Sequence, residues 1–420
     1  MATSAVSVEA VWRVESAKVI AILSRHVGDV GVAEDLAQDA FVAALEQWPR
    51  SGIPANPRGW LVTVGKRRFI DSLRRRAVLD SRRDELARQE EAGQRLAKEE
   101  FDAATEEVND DLLRLMFVCC HPVLAPEARV ALTLRLVGGL TTEQIARGYV
   151  VKEATISQRV VRAKRTLSEA LVRFELPPPA RLGERLGAVL EVLYLIFNEG
   201  YVTTSGPAWT EPTLCLEALR LGRVLAGLLP QEPEVHGLVA LMELQASRLR
   251  ARSGPAGQPV LLADQDRSRW DQVLVGRGLA ALERAASLGD GLGRYGIQAA
   301  IASCHARARR LEETDWARIV ALYDALAEVA PSPIVDLNRA VAVSMAYGPE
   351  AALEIVDSIR ANPLLDGYHL LPSVRASLLE RLGRPEEARG EFERAAALTR
   401  NEPERQLLLT RALIPPHEPG

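Results

Sequence analysis

The sequence predicts an all-α protein, and three observations support that fold class. Ala, Leu, Arg and Glu are abundant, whereas aromatic residues make up only 5% of the chain. Apolar residues recur at helical spacing through most of the sequence, and short segments rich in Gly and Pro separate these stretches. The 420 residues are 47% hydrophobic and 26% charged, which is enough for several soluble domains with cores of their own.

The bulk charge and the cysteines exclude several classes of protein. A net charge of −4 excludes a uniformly basic surface, so any contact with nucleic acid must come from local patches. Four cysteines form neither a disulfide framework nor paired C-x-x-C ligands. The N-terminus does not resemble a signal peptide, and no apolar run reaches membrane length. We therefore expect a cytoplasmic protein with no membrane partner.

The first amphipathic segment covers residues 9–48 and predicts two helices broken at residues 28–31. In the second, Val32–Trp48, an apolar stripe follows helical spacing. That stripe comprises Leu36, Ala40, Phe41, Ala44 and Leu45. The polar residues Glu34, Asp35, Gln38, Asp39 and Glu46 are assigned to the other faces, where a solubilising role and a binding role are equally consistent with the pattern. A loop rich in Pro and Gly is predicted from Pro49 to Pro57.

A cationic helix is predicted from Arg58 to Arg76. Seven cations stand there against one acid, Asp71. They are Arg58, Lys66, Arg67, Arg68, Arg74, Arg75 and Arg76. Trp60 and Phe69 lie among them, and cations interleaved with aromatic rings suit single-stranded or locally opened nucleic acid, whose bases stack. Packing in the core is the alternative role for Phe69.

A helix-turn-helix is predicted between residues 127 and 174. A first helix ends at Gly138-Gly139, and Thr141 with Gln144 has the spacing of a capping box at the start of a short second helix. A third helix begins near Glu153 and buries Ile156, Val160 and Leu167. Its other side chains suit base edges and phosphates in a major groove: Ala154, Thr155, Ser157, Gln158, Arg159, Arg162, Lys164 and Arg165. A basic solvated face on an ordinary bundle is the alternative.

These three segments together resemble the bacterial extracytoplasmic-function sigma factors of RNA polymerase. The resemblance covers residues 10–175 and rests on DLAQDAFV from Asp35, on GWLVTVGKRRFIDSLRRR from Gly59, and on the helix-turn-helix from Leu140 to Arg165. The proline-rich loop before Trp60 departs from the commonest members and resembles the subgroup that carries large C-terminal extensions.

The resemblance implies a role for each segment. The helix Val32–Trp48 would dock on the clamp helices of the largest polymerase subunit through Asp35, Gln38, Asp39 and Phe41, and a second polymerase contact is expected at the flap. The segment Arg58–Arg76 would bind and melt the minus-ten promoter element with its cations, Trp60 and Asp71. The helix from Glu153, together with Thr141, would read the minus-thirty-five element.

The implied modules are residues 1–80 (region 2), a charged linker at 81–111, residues 112–176 (region 4 with the helix-turn-helix), and an extension at 180–420. Cys119, Cys120 and His121 supply only three adjacent metal ligands, so buried thiols are favoured over a zinc site. No metal or other cofactor is expected.

The extension is predicted to be helical after the Pro177–Pro179 boundary. Helices are expected at 181–201, 211–229 and 234–250, and an exposed turn at Asp264–Trp270. From Trp316 onward a repeat with a spacing of about 35 residues resembles tetratricopeptide helix pairs. Stacked pairs leave a concave surface, which predicts binding of a protein partner or of another part of the same chain, and hence regulation.

The predicted function is that of a sigma factor, not an enzyme. It would bind core RNA polymerase and promoter DNA and open the promoter, with the extension modulating its activity. No phosphate-binding Gly-rich loop or nucleophile elbow accompanies these motifs. The alternative is a stand-alone helix-turn-helix regulator whose repeat domain senses a peptide.

Overall fold

Helices make up almost all of the secondary structure, as the sequence predicts. The computed structural model describes residues 2–80, 105–149, 151–255 and 257–413. Within those ranges the only β-strands are β1 (Ser205–Gly206) and β2 (Arg400–Asn401), which pair in parallel. No helix in the described part of the chain combines the length and apolar character needed to cross a bilayer. Most of the linker expected at 81–111, namely residues 81–104, lies outside the described residues.

The chain divides into two compact units, Met1–Arg147 with Val151–Val192, and Gly148–Val150 with Leu193–Gly420. The division falls inside one helix, α8 (Pro179–Tyr201), and not at the Pro177–Pro179 segment. The domain limits expected from the sequence therefore stay a prediction.

The first unit contains two helical modules. The N-terminal module consists of α1 (Ala2–Val27), α2 (Val30–Ser51) and α3 (Pro57–Asp80). The helix-turn-helix module consists of α4 (Thr105–Cys119), α5 (Pro126–Leu136), α6 (Thr142–Gly148) and α7 (Glu153–Glu169). The two modules are packed together, since α1 contacts α4 and α2 contacts α7.

The turns of the N-terminal module follow from local chemistry. Gly28 has a φ of 75°, a left-handed conformation that favours glycine, and the Asp29 carboxylate then caps α2 by accepting from the Val32 N–H at 2.9 Å. The sequence-based loop at 49–57 is too long, because Pro49 lies inside α2 and Pro57 begins α3. Proline is tolerated at the first position of a helix, where its missing N–H has no intrahelical acceptor.

The second unit is built from successive helices. They are the end of α8, then α9 (Pro212–Leu228), α10 (Pro233–Ala246), α11 (Gln272–Leu288), α12 (Arg294–Arg307), α13 (Trp316–Val329), α14 (Pro333–Tyr347), α15 (Pro349–Ile359), α16 (Leu370–Arg381), α17 (Pro385–Leu398) and α18 (Glu402–Leu413). Short 3-10 helices occur at Leu249–Ala251, Leu262–Asp264, Arg267–Arg269, Leu311–Glu313 and Pro363–Leu365. One hydrophobic core runs from Ile297 to Ala412.

The segment from Trp316 onward, where a repeat is expected, consists of successive helices joined by short turns. Gly348 separates α14 from α15 and Gly383 separates α16 from α17, and both glycines have positive φ angles, 105° and 71°. The two turns are about 35 residues apart, a period typical of helical repeats. The turn expected at Asp264–Trp270 is exposed at Asp264, Asp266, Ser268 and Arg269, whereas Gln265 and Trp270 are buried.

Candidate nucleic-acid interface

The helix-turn-helix has the local geometry that the sequence predicts. α5 ends at Leu136, and Gly139 turns the chain with a φ of 70°. The Gln144 N–H donates to the Thr141 hydroxyl at 3.1 Å, and the Thr141 N–H donates to the Gln144 side-chain oxygen at 2.9 Å. This reciprocal capping box satisfies two backbone donors at the start of α6 and fixes its direction.

The helix α7 separates a buried face from an exposed one. Ile156, Val160, Ala163 and Leu167 are buried, which confirms the predicted inward stripe. Ala154, Gln158, Arg162 and Arg165 are exposed, and Thr155, Ser157 and Arg159 are half-buried beside them. Because positions three or four apart share a helical face, the exposed residues form one continuous surface.

Two of the cations predicted on α7 already have partners in the chain. The Arg165 guanidinium donates to Glu169, one turn later on the same helix, at 2.6 Å. Lys164 points toward the N-terminal module, where its Nζ lies 2.5 Å from the Glu34 Oε2 and 3.5 Å from the Asp35 Oδ1. In this conformation Arg159 and Arg162 have no ion-pair partner among the described residues.

The cationic helix α3 is anchored by small residues. The Asn56 side chain accepts from the Gly59 N–H at 2.9 Å at the start of the helix. Gly65 faces α1 so closely that a β-carbon there would lie 2.9 Å from the Leu23 Cδ1, so only glycine fits without a shift. Arg67, Asp71 and Arg74 are exposed, and Arg58, Lys66 and Arg68 are half-buried. The side chains of Arg75 and Arg76 lie outside the described residues.

The two aromatic residues of α3 that were predicted to face nucleic acid, Trp60 and Phe69, are both partly buried. Trp60 is half-buried and meets Trp48 of α2 edge to face, with ring centroids 5.3 Å apart. Trp60 therefore packs against α2 and also keeps part of its surface exposed. Phe69 is also half-buried.

The predicted polymerase-binding residues lie on α2. Asp35 and Asp39 are exposed, and Gln38 and Phe41 are half-buried. The Phe41 ring stacks on Trp12 of α1 with centroids 4.6 Å apart, so it also holds α1 against α2. Asp39 forms a 3.0 Å ion pair with Arg68 of α3.

The sequence-based assignment of Glu34 to an outer face is wrong. Glu34 is only 4% exposed, and its carboxylate faces the helix-turn-helix module. The Arg135 Nε of α5 donates to the Glu34 Oε1 at 2.9 Å, in addition to the Lys164 contact. Periodicity on a single helix could not identify partners that lie 101 and about 130 residues further along the chain.

The adjacent thiols of Cys119, at the end of α4, and Cys120, directly after it, are part of the core. Burial raises the pKa of Cys120 to about 11, and the Cys119 pKa is raised as well by burial and by its neighbour Cys120. The Cys120 Sγ lies 3.4 Å from the Thr133 Oγ1. No group of three or more metal-ligating side chains occurs in the described ranges.

Comparisons with known protein families agree with this geometry. Residues 13–78 match Sigma-70 region 2, residues 114–167 match Sigma-70 region 4, and residues 185–286 match a family of unknown function, DUF6596. The chain is an extracytoplasmic-function sigma factor with a C-terminal extension.

Three known relatives are similar to this chain, and two of them are sigma factors. An uncharacterized protein of Rhizobium meliloti (strain 1021) is 44% identical over 391 residues, 90% of this sigma factor and 89% of the relative. The probable extracytoplasmic-function sigma factor SigI of Mycobacterium tuberculosis is 30% identical over 171 residues, 41% of this chain and 58% of SigI. SigK of Mycobacterium sp. (strain KMS) is 27% identical over 162 residues, 37% of this chain and 77% of SigK. The sigma factor is thus a transcription-initiation protein.

Proposed function

We propose that the sigma factor binds core RNA polymerase through α2, opens the minus-ten element with α3 and reads the minus-thirty-five element with α7. The extension modulates this activity. The observation that carries the proposal is the continuous exposed face of α7, which places Ala154, Gln158 and Arg162 together at the open end of a capped helix-turn-helix.

The composition of that face suits a DNA major groove. Such a groove admits one α-helix, so side chains near the N-terminus of the helix must be small or able to form hydrogen bonds to base edges. Ala154 leaves room for close approach, and the Gln158 amide can pair with an adenine. Arg159 and Arg162 then hold phosphates, which fix the position of the helix without reading sequence.

The surface of α3 suits a strand that has left the duplex. Unstacking a base costs a few kcal/mol, and the cations Arg67 and Arg74 offset part of this cost by holding the exposed strand. The half-buried Trp60 offers one edge to a base while Trp48 supports the other side of the ring.

On α2 the exposed acids Asp35 and Asp39 offer a negative surface to polymerase. They are one helical turn apart and therefore lie on the same side of the helix. Gln38 and the supported ring of Phe41 extend that surface.

The test of the proposal is transcription in vitro with core enzyme on a library of promoter fragments. The intact chain should select a defined set of promoters. Arg162→Ala should lower the affinity of the holoenzyme for the promoter about tenfold, because one phosphate contact is lost. For the same reason, the slope of the logarithm of the binding constant against the logarithm of the salt concentration should fall in magnitude by about one. Arg147→Ala, an exposed cation on α6 of the same module, is the matched control and should leave both values unchanged.

Co-purification with core polymerase separates this proposal from the stand-alone regulator. A sigma factor retains core enzyme at moderate salt, and reversal of charge in Asp35→Lys should weaken that retention about tenfold, whereas Glu46→Lys on the same helix should not. Tight binding of duplex promoter DNA by the free chain, with no retention of core enzyme, would favour the regulator.

The role of the extension is tested by a chain that ends at Val192, which retains all of the first unit. Stacked helix pairs expose a long concave surface that suits a protein ligand, and this supports a modulating role. A severalfold change in promoter-dependent transcription, in either direction, is expected. Equal transcript yields from the short and intact chains would argue against modulation.

A further inference from the structure

Glu34 is one of the points at which the N-terminal module and the helix-turn-helix module are held together, beside the packing of α1 on α4, where Arg25 pairs with Asp111 at 3.4 Å. Both of its carboxylate oxygens are engaged by cations of the other module, Arg135 on α5 at 2.9 Å and Lys164 on α7 at 2.5 Å. Arg135 also donates to the Leu140 carbonyl at 3.1 Å, so the same guanidinium fixes the turn before α6. The carboxylate therefore links α2 directly to the framework of the helix-turn-helix.

The surroundings of this contact belong to two different predicted interfaces. Beside Glu34, Asp35 of the polymerase-binding surface faces Lys164 of the DNA-binding surface. The aliphatic part of Lys164 also packs on the backbone of α2, since a β-carbon at Gly31 would lie 3.5 Å from the Lys164 Cδ. Each surface thus covers part of the other.

Distances along the promoter are incompatible with this arrangement. Asp39 of α2 pairs with Arg68 of α3, and Asp35, one turn away, contacts Lys164 of α7. One turn of helix is about 5.4 Å, and all 22 residues of α2 extend about 33 Å. The minus-ten and minus-thirty-five elements are about 25 base pairs apart, or roughly 85 Å along the duplex. The modules must separate before α3 and α7 can occupy both elements.

We propose that Glu34 is a latch that keeps the free sigma factor closed, and that polymerase opens it by engaging α2. This inference rests on the proposed function for its biological meaning, but the closure itself is a property of the free chain. A carboxylate buried against the opposite module is stable there only while its cations are present. Polymerase that binds the Asp35 side of α2 competes with Lys164 and so favours the open state.

The experiment measures the distance between the two modules in the intact chain. The four native cysteines are buried, so spin labels can be directed to two introduced cysteines on exposed positions, Val42→Cys on α2 and Ser168→Cys on α7. Neither Val42 nor Ser168 is among the residues assigned above to contacts with polymerase or DNA. Double electron–electron resonance then gives the distance distribution in the free chain and after addition of core polymerase.

Removing the charge of Glu34 should open the chain. In the unsubstituted free chain, the fraction of molecules whose two modules are separated should stay below about 10%, which is typical of a minor state. With Glu34→Gln it should become the majority, a rise of at least fivefold. Arg135→Gln should act in the same direction, and the double variant should open little further than either single one, because both remove the same contact.

Glu46→Gln, an exposed carboxylate on the same helix, is the matched control and should leave the distribution closed. An unchanged distribution in Glu34→Gln, or equal opening in Glu46→Gln, would overturn the latch. Circular dichroism melting of each variant shows whether the modules themselves remain folded, and Arg135→Gln provides a second measurement if Glu34→Gln unfolds the N-terminal module. If core polymerase neither binds nor lengthens the distance while Glu34→Gln still opens the chain, the proposed function fails and the latch stands.

Discussion

Glu34 in the first unit and Glu243 in the second are both buried helical carboxylates paired with arginine, yet their partners differ in origin. Glu34 is 4% exposed and is held by Arg135 and Lys164 from a different module. Glu243 is 2% exposed and is held by Arg223 of the neighbouring helix α9 at 2.8 Å. A carboxylate of the first kind regains water when two modules separate, whereas one of the second kind regains it only when its helices unpack.

The same contrast extends to buried cations. In the second unit Arg252 is 7% exposed and has no carboxylate within ion-pairing distance in the described ranges. Its guanidinium instead lies 3.7 Å from the centroid of the Tyr201 ring and 5.3 Å from that of Trp209, and it donates to the Tyr201 carbonyl at 3.2 Å. Arg252 is thus compensated by rings and a carbonyl group of its own unit, which suits a permanent fold more than a switch.

The largest expected effect comes from removing one of these permanent contacts. Arg252→Ala should lower the free energy of unfolding of the second unit by about 3 kcal/mol, since it loses a desolvated cation–π contact, a hydrogen bond and buried packing. Amide hydrogen exchange of α10 measures this value in the unit concerned. Arg250→Ala, two residues earlier and exposed, is the matched control and should change it by less than about 0.5 kcal/mol.

A smaller effect is expected from acid. His305 is buried beside Arg248 and Arg267, and burial followed by these two charges lowers its pKa to about 3. In the unfolded state the His305 imidazole binds a proton near pH 6.5, whereas in the folded state it stays neutral until about pH 3. The second unit therefore loses stability as the pH falls from about 6.5 toward 3. At pH 5 the loss should be about 2 kcal/mol.

This pH dependence is measured by hydrogen exchange of α12 between pH 7.5 and pH 5, after correction for intrinsic rates. His305→Asn should remove most of it. An equal loss in the variant would show that other groups cause the acid sensitivity. In the first unit His26 has its pKa lowered to about 4 by burial, Lys66 and Arg25, so exchange of α1 provides a separate comparison with the same sign.

Features formed by residues that are close together in the chain were easier to predict than contacts between residues far apart in it. Thr141 and Gln144 are three residues apart, and their capping box could be predicted because all of its atoms belong to one helical turn. The buried face of α7 follows from spacing alone. The burial of Trp270 could not be predicted in this way, because Arg248, whose guanidinium lies 5.3 Å from the centroid of the Trp270 ring, is 22 residues earlier in the chain.

Lys164 marks the limit of sequence reasoning at the site. Its place on a basic helix predicts contact with DNA, whereas the structure of the free chain turns it toward Glu34. Both statements are compatible if the modules open, but a pattern on one helix cannot specify a second conformation. The exposed neighbours Gln158 and Arg162 match their predicted orientation, and Arg162 has no ion pair with any other part of the chain that the structure describes.

The smallest expected effect sharpens the comparison between the two carboxylates. Burial raises the pKa of Glu243, against the opposing influence of Arg223, so the folded second unit holds the charged form at a cost. Glu243→Gln keeps the shape of the side chain and removes that cost, while the partly exposed Arg223 remains in contact with water. The free energy of unfolding should therefore change by less than about 1 kcal/mol, because the cation that remains, Arg223, is 41% exposed and is not left as an uncompensated buried charge. Hydrogen exchange of α10 measures this change in the second unit, which is then compared with the opening that Glu34→Gln causes in the first unit. A loss above about 3 kcal/mol would mean that the Glu243 pair stabilises its unit at least as strongly as Glu34 stabilises the closed arrangement of the two modules, and the distinction between a permanent and a releasable carboxylate would disappear.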